Sequence, residues 1–254
     1  MTQPDPIAFT IGGIDIRWYG ILIAVGMCLA VFISAARAPR HNLKSDDVLD
    51  VSIWILPIGV ICARLYYVLF NLDYYHTIGQ VLNIRSGGLA IHGGLIGGII
   101  TLCIVCRVKK VSSLNMLDLL MPCVALAQAI GRWGNFFNGE AHGGPTDLPW
   151  GIIVDGVKVH PTFLYESIWC LFLFIFLSWW DKNKRKSYGQ TLCLYGILYS
   201  AERFCVEELR TDSLMIGPYK QAQVLSAAVI VFCIIFFIFC SRKYKIKDIQ
   251  GETK

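Results

Sequence analysis

The chain has 254 residues, 55% hydrophobic and only 16% charged, with a mean hydropathy of +0.55. Soluble domains carry about a quarter charged residues, so the composition excludes an ordinary soluble enzyme and points to an all-α, polytopic membrane protein. The net charge of +5 would suggest a nucleic-acid partner in a soluble chain; in a membrane protein basic residues instead fix topology, and no nucleic acid is expected.

Apolar runs of about 18 to 22 residues can each cross a hydrocarbon core of about 30 Å. In chain order they predict about seven transmembrane helices, at 18–36, 48–70, 88–106, 114–131, 162–180, 189–209 and 219–240. The second carries Arg64 near its end, and the sixth carries "ERFCVEELR". No small-residue cleavage site follows the first run, so no cleavable signal peptide is expected. Basic residues gather after alternate spans: Arg37, Arg40 and Lys44; Arg107, Lys109 and Lys110; Lys182, Lys184, Arg185 and Lys186; Arg242, Lys243, Lys245 and Lys247. The positive-inside rule then predicts an N-terminus outside and a C-terminus in the cytoplasm. It also turns Arg17–Tyr19, 71–92, 131–161 and 210–218 toward the outer side. The 131–161 segment, with its turn residues and a short β-like stretch, suggests a small extracytoplasmic cap over 138–161. Neither an internal repeat nor a second soluble domain is visible, so residues 1–254 read as one membrane-embedded domain. The ten cysteines all fall in or at the ends of apolar runs, with no metal spacing with His. They read as small apolar packing residues.

Ionisable residues inside spans are costly and tend to mark function. Four groups stand out. "RWYG", Arg17 to Gly20, at the outer end of the first span, reads by itself as an interfacial anchor. "HGGLIGG", His92 to Gly98, holds two overlapping GxxxG pairs that favour close helix packing. Its His92 is either a satisfied polar residue or a general base near neutral pH. "GRWGNFFNGE", Gly131 to Glu140, puts Arg132, Asn135, Asn138 and Glu140 at the outer end of the fourth span. Its glycines suggest a sharp turn close to a ligand, and Arg132 offers a planar fork of donors to an anion. The plainer reading is a polar cap with Arg132 paired to Glu140. Finally, Tyr199, Arg203, Glu207 and Arg210 are spaced as one stripe of a helix. Two arginines against one carboxylate in that stripe leave a cation for an anion, although Glu202 lies nearby and leaves the charge count open. Together the groups suggest an outward-facing cavity whose natural anion is a phospholipid headgroup.

"HGGLIGG", "GRWGNFFNGE", "HPTFLYE" and "RFCVEELR", in that order, resemble the bacterial prolipoprotein diacylglyceryl transferases over nearly the whole chain. The resemblance implies transfer of the diacylglyceryl group of phosphatidylglycerol to the lipobox cysteine thiol of a prolipoprotein. A thioether forms and glycerol 1-phosphate leaves, at the outer side of the cytoplasmic (inner) membrane and before signal-peptide cleavage. Carried over residue by residue, it implies a catalytic His92, Arg132, Arg203 and Glu207. It implies phosphatidylglycerol contacts from Tyr19, Arg132, Asn135, Glu140, Tyr199, Arg203 and Arg210. Where many members continue with an aromatic, a glycine and an arginine, this chain has Ala141, His142, Gly143 and Gly144, so the mouth of the site differs. The expected roles are Arg132 and Arg203 on the phosphate, Glu207 orienting Arg203, Asn135 and Glu140 binding headgroup hydroxyls or holding Arg132, and His92 as base unless the arginine field alone activates the thiol. No HExxH, P-loop or Rossmann fingerprint occurs, so no metal, nucleotide or other cofactor is expected. The alternatives are another membrane phospholipid headgroup transferase, which would need an acidic metal-binding motif, and a transporter, which would need internal symmetry and broken helices.

Overall fold

The computed structural model describes residues 4–84, 87–211 and 213–246; Lys247, assigned above to the last basic cluster, lies outside them. The order is β1 (Ile7–Ile11), β2 (Ile14–Arg17), α1 (Trp18–Arg37), α2 (Ser45–Leu69), α3 (Ile78–Leu82), α4 (Ile91–Lys109), α5 (Ser113–Asn138), β3 (Ile152–Val154), β4 (Val157–Val159), α6 (Thr162–Asn183), α7 (Gln190–Leu209), β5 (Met215–Ile216), β6 (Tyr219–Lys220) and α8 (Gln221–Lys243). Among the described residues six helices are long and apolar enough to cross a membrane. They are α1 with the turn after it, α2, α4, α5, α6 and α8; α7, which carries the charged stripe, is not among them. The protein is therefore a polytopic helical membrane protein. Each pair of strands forms its own two-stranded antiparallel hairpin.

The chain divides into two compact units, one of Met1–Ile33 and Leu117–Lys254 and one of Ser34–Met116. In the second unit α2 packs on α4. A Cβ on Gly93 would run into the Cys62 carbonyl and the Tyr66 side chain, and one on Gly97 would lie 2.5 Å from Cys62 Sγ. The Gly93/Gly97 pair is thus the one that needs its missing side chains, because the Cys62 carbonyl and side chain already fill that space. Gly94 and Gly98 meet only ordinary van der Waals distances. Arg64, buried on α2, explains how a charge is tolerated in that span. Its guanidinium donates to the carbonyls of Val81 (2.8 Å), Gln80 (2.8 Å), Asn83 (3.0 Å), Gly87 (2.6 Å) and Gly88 (3.0 Å). It also faces the Tyr75 ring at 5.0 Å. Those five bonds match the five N–H donors of an arginine, so Arg64 holds the connection between α2 and α4 rather than a ligand.

In the first unit α5, α6 and α7 are tied by side-chain hydrogen bonds. Trp133 donates to Ser167 (3.1 Å), Ser167 to the Ala129 carbonyl (2.8 Å), Trp169 to the Leu198 carbonyl (3.1 Å) and Tyr195 to Gln128 (2.8 Å). Ala125, Leu173 and Leu177 form the apolar core among them. Asp118, buried on α5, accepts from the backbone N–H of Gly189 (2.7 Å) and Leu192 (2.9 Å). It so supplies a negative cap to the N-terminus of α7. After α5 the chain forms a hairpin with a small core of its own. This β3–β4 hairpin turns at Asp155 and Gly156, with φ of 49° and 80°, the positive pair that a two-residue hairpin turn requires. Ile152, Val154, Val159 and Phe163 form its core, against Phe136 and Leu164.

One expectation is overturned here. The stretch from Gly131 to Asn138 is no turn; it is the last two turns of α5. Its glycines serve helix packing. A Cβ on Gly131 would lie 3.1 Å from Ile23, and one on Gly134 would overlap the Tyr19 ring and come within 3.2 Å of the Tyr19 backbone. Only Gly139, at φ +67°, turns the chain. There the N–H of Glu140 bonds to the Asn135 carbonyl (3.1 Å) and that of Gly139 to the Phe136 carbonyl (3.2 Å). This paired closure of a helix C-terminus is the Schellman pattern.

Candidate active site

Three helices of the first unit bring their charged side chains together. Arg132 stands on α5, Glu166 on the second turn of α6, and Tyr199, Glu202, Arg203 and Glu207 on α7. Glu166 is fully buried, while the Arg132 and Arg203 side chains are about a fifth exposed. One oxygen, Glu166 Oε1, lies 3.1 Å from Arg132 Nη2 and 3.5 Å from Arg203 Nη1. Neither approach has hydrogen-bond alignment, so the carboxylate holds the two cations by charge rather than by directed bonds. Arg132 Nη2 donates to the Tyr199 hydroxyl at 3.1 Å. Arg203 Nη2 pairs with Glu207 one turn along α7 at 2.5 Å, and Glu207 is buried to 2% exposure.

The result is two guanidiniums from different helices converging on one buried carboxylate oxygen. Arg203 Nη1 is buried and has no hydrogen-bond acceptor among the described residues. Buried donors in native proteins find partners, and an orphan calls for an explanation. An anionic oxygen entering between the two arginines would satisfy it, in a setting where charge-assisted bonds are strong.

A second group lies around the end of α5. Glu140 Oε1 accepts from Asn135 Nδ2 and from Asn138 Nδ2, each at 3.1 Å. Arg132 is paired to Glu166 and not, as the plainer reading had it, to Glu140. The Schellman closure at Gly139 folds Glu140 back over the two asparagines and fixes that arrangement. Tyr19, on the first turn of α1, packs on Gly134 and is electrostatically coupled to both Glu140 and Arg132. Tyr19 and Asn138, with Asp15 and Arg17, line an open cavity of about 570 Å³.

The structure therefore brings together Arg132, Tyr199, Arg203 and Glu207 in one cluster, and Asn135 and Glu140 in the neighbouring one, with Tyr19 coupled to both. Arg210 departs from its predicted place. It lies past the end of α7 in extended backbone, at φ −79° and ψ 142°, and bridges to Gly143 of the cap. The stripe on α7 is therefore Tyr199, Arg203 and Glu207 alone. His92 belongs to the other unit, exposed on the first turn of α4, with its ring 6.2 Å from that of Tyr66. Sequence reasoning missed Glu166. The signal was present: it is a lone carboxylate inside the apolar "FLYESIWC", and the rule that singled out the arginines applied equally to it.

Comparison with known proteins identifies the family. The model of a family described as prolipoprotein diacylglyceryl transferase matches residues 6–239. The chain is 55% identical over 242 residues to a phosphatidylglycerol–prolipoprotein diacylglyceryl transferase of Clostridioides difficile (strain 630), covering 95% of this chain and 97% of that one. It is 48% identical over 251 residues to the protein of the same description from Finegoldia magna, covering 98% and 100%. Against that of Thermotoga maritima it is 46% identical over 235 residues, covering 88% and 80%.

Proposed function

The chain belongs to the prolipoprotein diacylglyceryl transferase family, and from that premise we infer that it transfers the diacylglyceryl group of phosphatidylglycerol to a prolipoprotein. The acceptor is the lipobox cysteine thiol, the product a thioether, and the leaving group glycerol 1-phosphate. Another phospholipid headgroup transferase is not favoured, since the relatives carry one description. Residues 1–254 act as one catalytic domain in the bacterial cytoplasmic membrane, with seven crossings, the N-terminus outside and the site toward the outer face. The four alternating basic clusters support that orientation. The hydrogen bonds of α7 to α5 and α6 support α7 as the seventh crossing, since they supply within protein what lipid would not.

The substrate cysteine is the nucleophile, as the thiolate. The bond that breaks joins the glycerol carbon to a phosphate oxygen, so negative charge grows on the phosphate. Arg132 and Arg203 bind that phosphate, where fixed donors in a water-poor site stabilise developing charge strongly. The observation that carries this role is the convergence of both guanidiniums, with Arg203 Nη1 lacking an acceptor. Glu207 orients Arg203 and Tyr199 orients Arg132, each through the contact described above. Asn135 and Glu140 meet the headgroup hydroxyls, with Tyr19 and Arg210 at the mouth. His92 takes the thiol proton.

The test is transfer from labelled phosphatidylglycerol to a lipobox peptide by purified enzyme in detergent. Arg132→Ala and Arg203→Ala are expected to lower the rate by about 10²–10³ each, the usual loss for one such donor, with the protein still monodisperse. Near-normal rates in either would reject the phosphate clamp. An unchanged pH–rate profile in His92→Gln would remove His92 as base.

A further inference from the structure

Glu202 has no part in the scheme above, yet it is only 8% exposed. Neither of its carboxyl oxygens has a hydrogen-bond partner among the described residues. It stands on α7 beside Arg203 and three residues beyond Tyr199. The groups near enough to act on it by charge are Arg132 from α5, Glu166 and Cys170 from α6, and Tyr199 and Arg203 from α7 itself. Helix α8, which packs on α7, has no charged residue between Gln221 and Ser241, and its Cys233 lies against Gly196.

Counting formal charges, Arg132 and Arg203 face Glu166, Glu202 and Glu207. With every carboxyl ionised the cluster would be net negative, and a phosphodiester would be repelled. Glu207 has Arg203 as its own partner, and Glu166 lies within ion-pair distance of both arginines. Among the described residues Glu202 has neither an ion pair nor a hydrogen bond to stabilise a charge. A buried unpaired carboxylate is strongly unfavourable, and two carboxyls sharing a buried site do not both ionise.

We propose that Glu202 is carried as the neutral carboxylic acid, and that its proton leaves Arg132 and Arg203 able to accept a phosphate anion. Glu202 is thus a positioning residue that sets the charge of the cluster without touching the lipid. The inference rests on the phosphate role given above to the two arginines. It makes phosphatidylglycerol binding proton-dependent, although the lipid's own phosphodiester does not titrate near neutrality. When Glu202 loses its proton, the arginines gain a second competing anion and affinity for the lipid falls.

Two measurements on the purified full chain decide the matter. Infrared spectroscopy needs no substrate. Wild type is expected to show the carbonyl stretch of a protonated carboxylic acid at neutral pH, and Glu202→Gln and Glu202→Met to lack it. A band unchanged in both variants, or no such band in wild type, overturns the proposal. The second measurement is KM for phosphatidylglycerol against pH. In wild type KM is expected to rise about tenfold per pH unit once Glu202 ionises, the slope of one proton. In Glu202→Gln, checked for folding by gel filtration, that rise disappears. A rise that persists, or a glutamine variant with a raised KM at every pH, also overturns it. If wild type transfers nothing from phosphatidylglycerol at any pH, the transferase reading fails while the infrared result still stands.

Discussion

At the scale of single residues, Glu166 separates holding the site together from reacting in it. Its one oxygen near two guanidiniums is the counter-charge that lets both arginines stand at one place in an apolar bundle. Removing one member of a buried ionic cluster typically costs about 3–5 kcal/mol, because the remaining charge is left uncompensated. Since the arginines are partly exposed, Glu166→Ala is expected at the low end of that range. The check is the unfolding midpoint in denaturant with detergent held constant, and a midpoint equal to wild type would mean the ion cluster is not structural. The arginines themselves were legible in the sequence, because a cation in an apolar run demands a reason. What pairs with Arg132 was not. Glu140 is eight positions away and was the local guess, whereas Glu166 is thirty-four positions away and becomes its neighbour only through the packing of α5 on α6.

Among the helices, the instructive error concerns the glycines of "GRWGNFFNGE". Glycine lowers helix propensity, so a run with three of them read as a turn. Packing overrode propensity: Gly131 and Gly134 are where α1 meets α5, and Trp18 stacks on Phe137 at 5.3 Å beside them. Gly134→Ala is therefore expected to push Tyr19 away and to destabilise by about 1–3 kcal/mol, the usual effect of overpacking. Gly20→Ala is the matched control, because among the described residues nothing lies within 4 Å of its added methyl. It is expected to be neutral or to stabilise by up to about 1 kcal/mol. Thermal unfolding of the two variants side by side checks both, and equal losses would refute the packing role. Span positions were legible from hydropathy to within a few residues, except where polar residues continue a helix, as at the end of α5.

For the whole molecule, the orientation proposed from the distribution of basic residues can be tested on cells. In a cysteine-free background, Asp155→Cys at the β3–β4 turn is expected to react with a membrane-impermeant maleimide added outside, and Lys184→Cys only after permeabilisation. The reverse pattern would invert the protein and place the arginine cluster on the cytoplasmic side. The alternation of charge predicts an orientation without any contact information. The assignment of Glu202 and Glu166 to one cluster needed the three-dimensional arrangement.

Helices α5 and α7 have one further property. Asp118 meets Gly189 and Leu192 where α7 begins, Gln128 meets Tyr195 and Arg132 meets Tyr199. The two helices thus run parallel, held at the Asp118 end and read at the Arg132 end. At 1.5 Å and about 100° per residue, one residue inserted in α5 between those points would carry Arg132 off Tyr199 and Glu166 while leaving every side chain of the site intact. The length of this part of α5 is thus held fixed by chemistry at its far end.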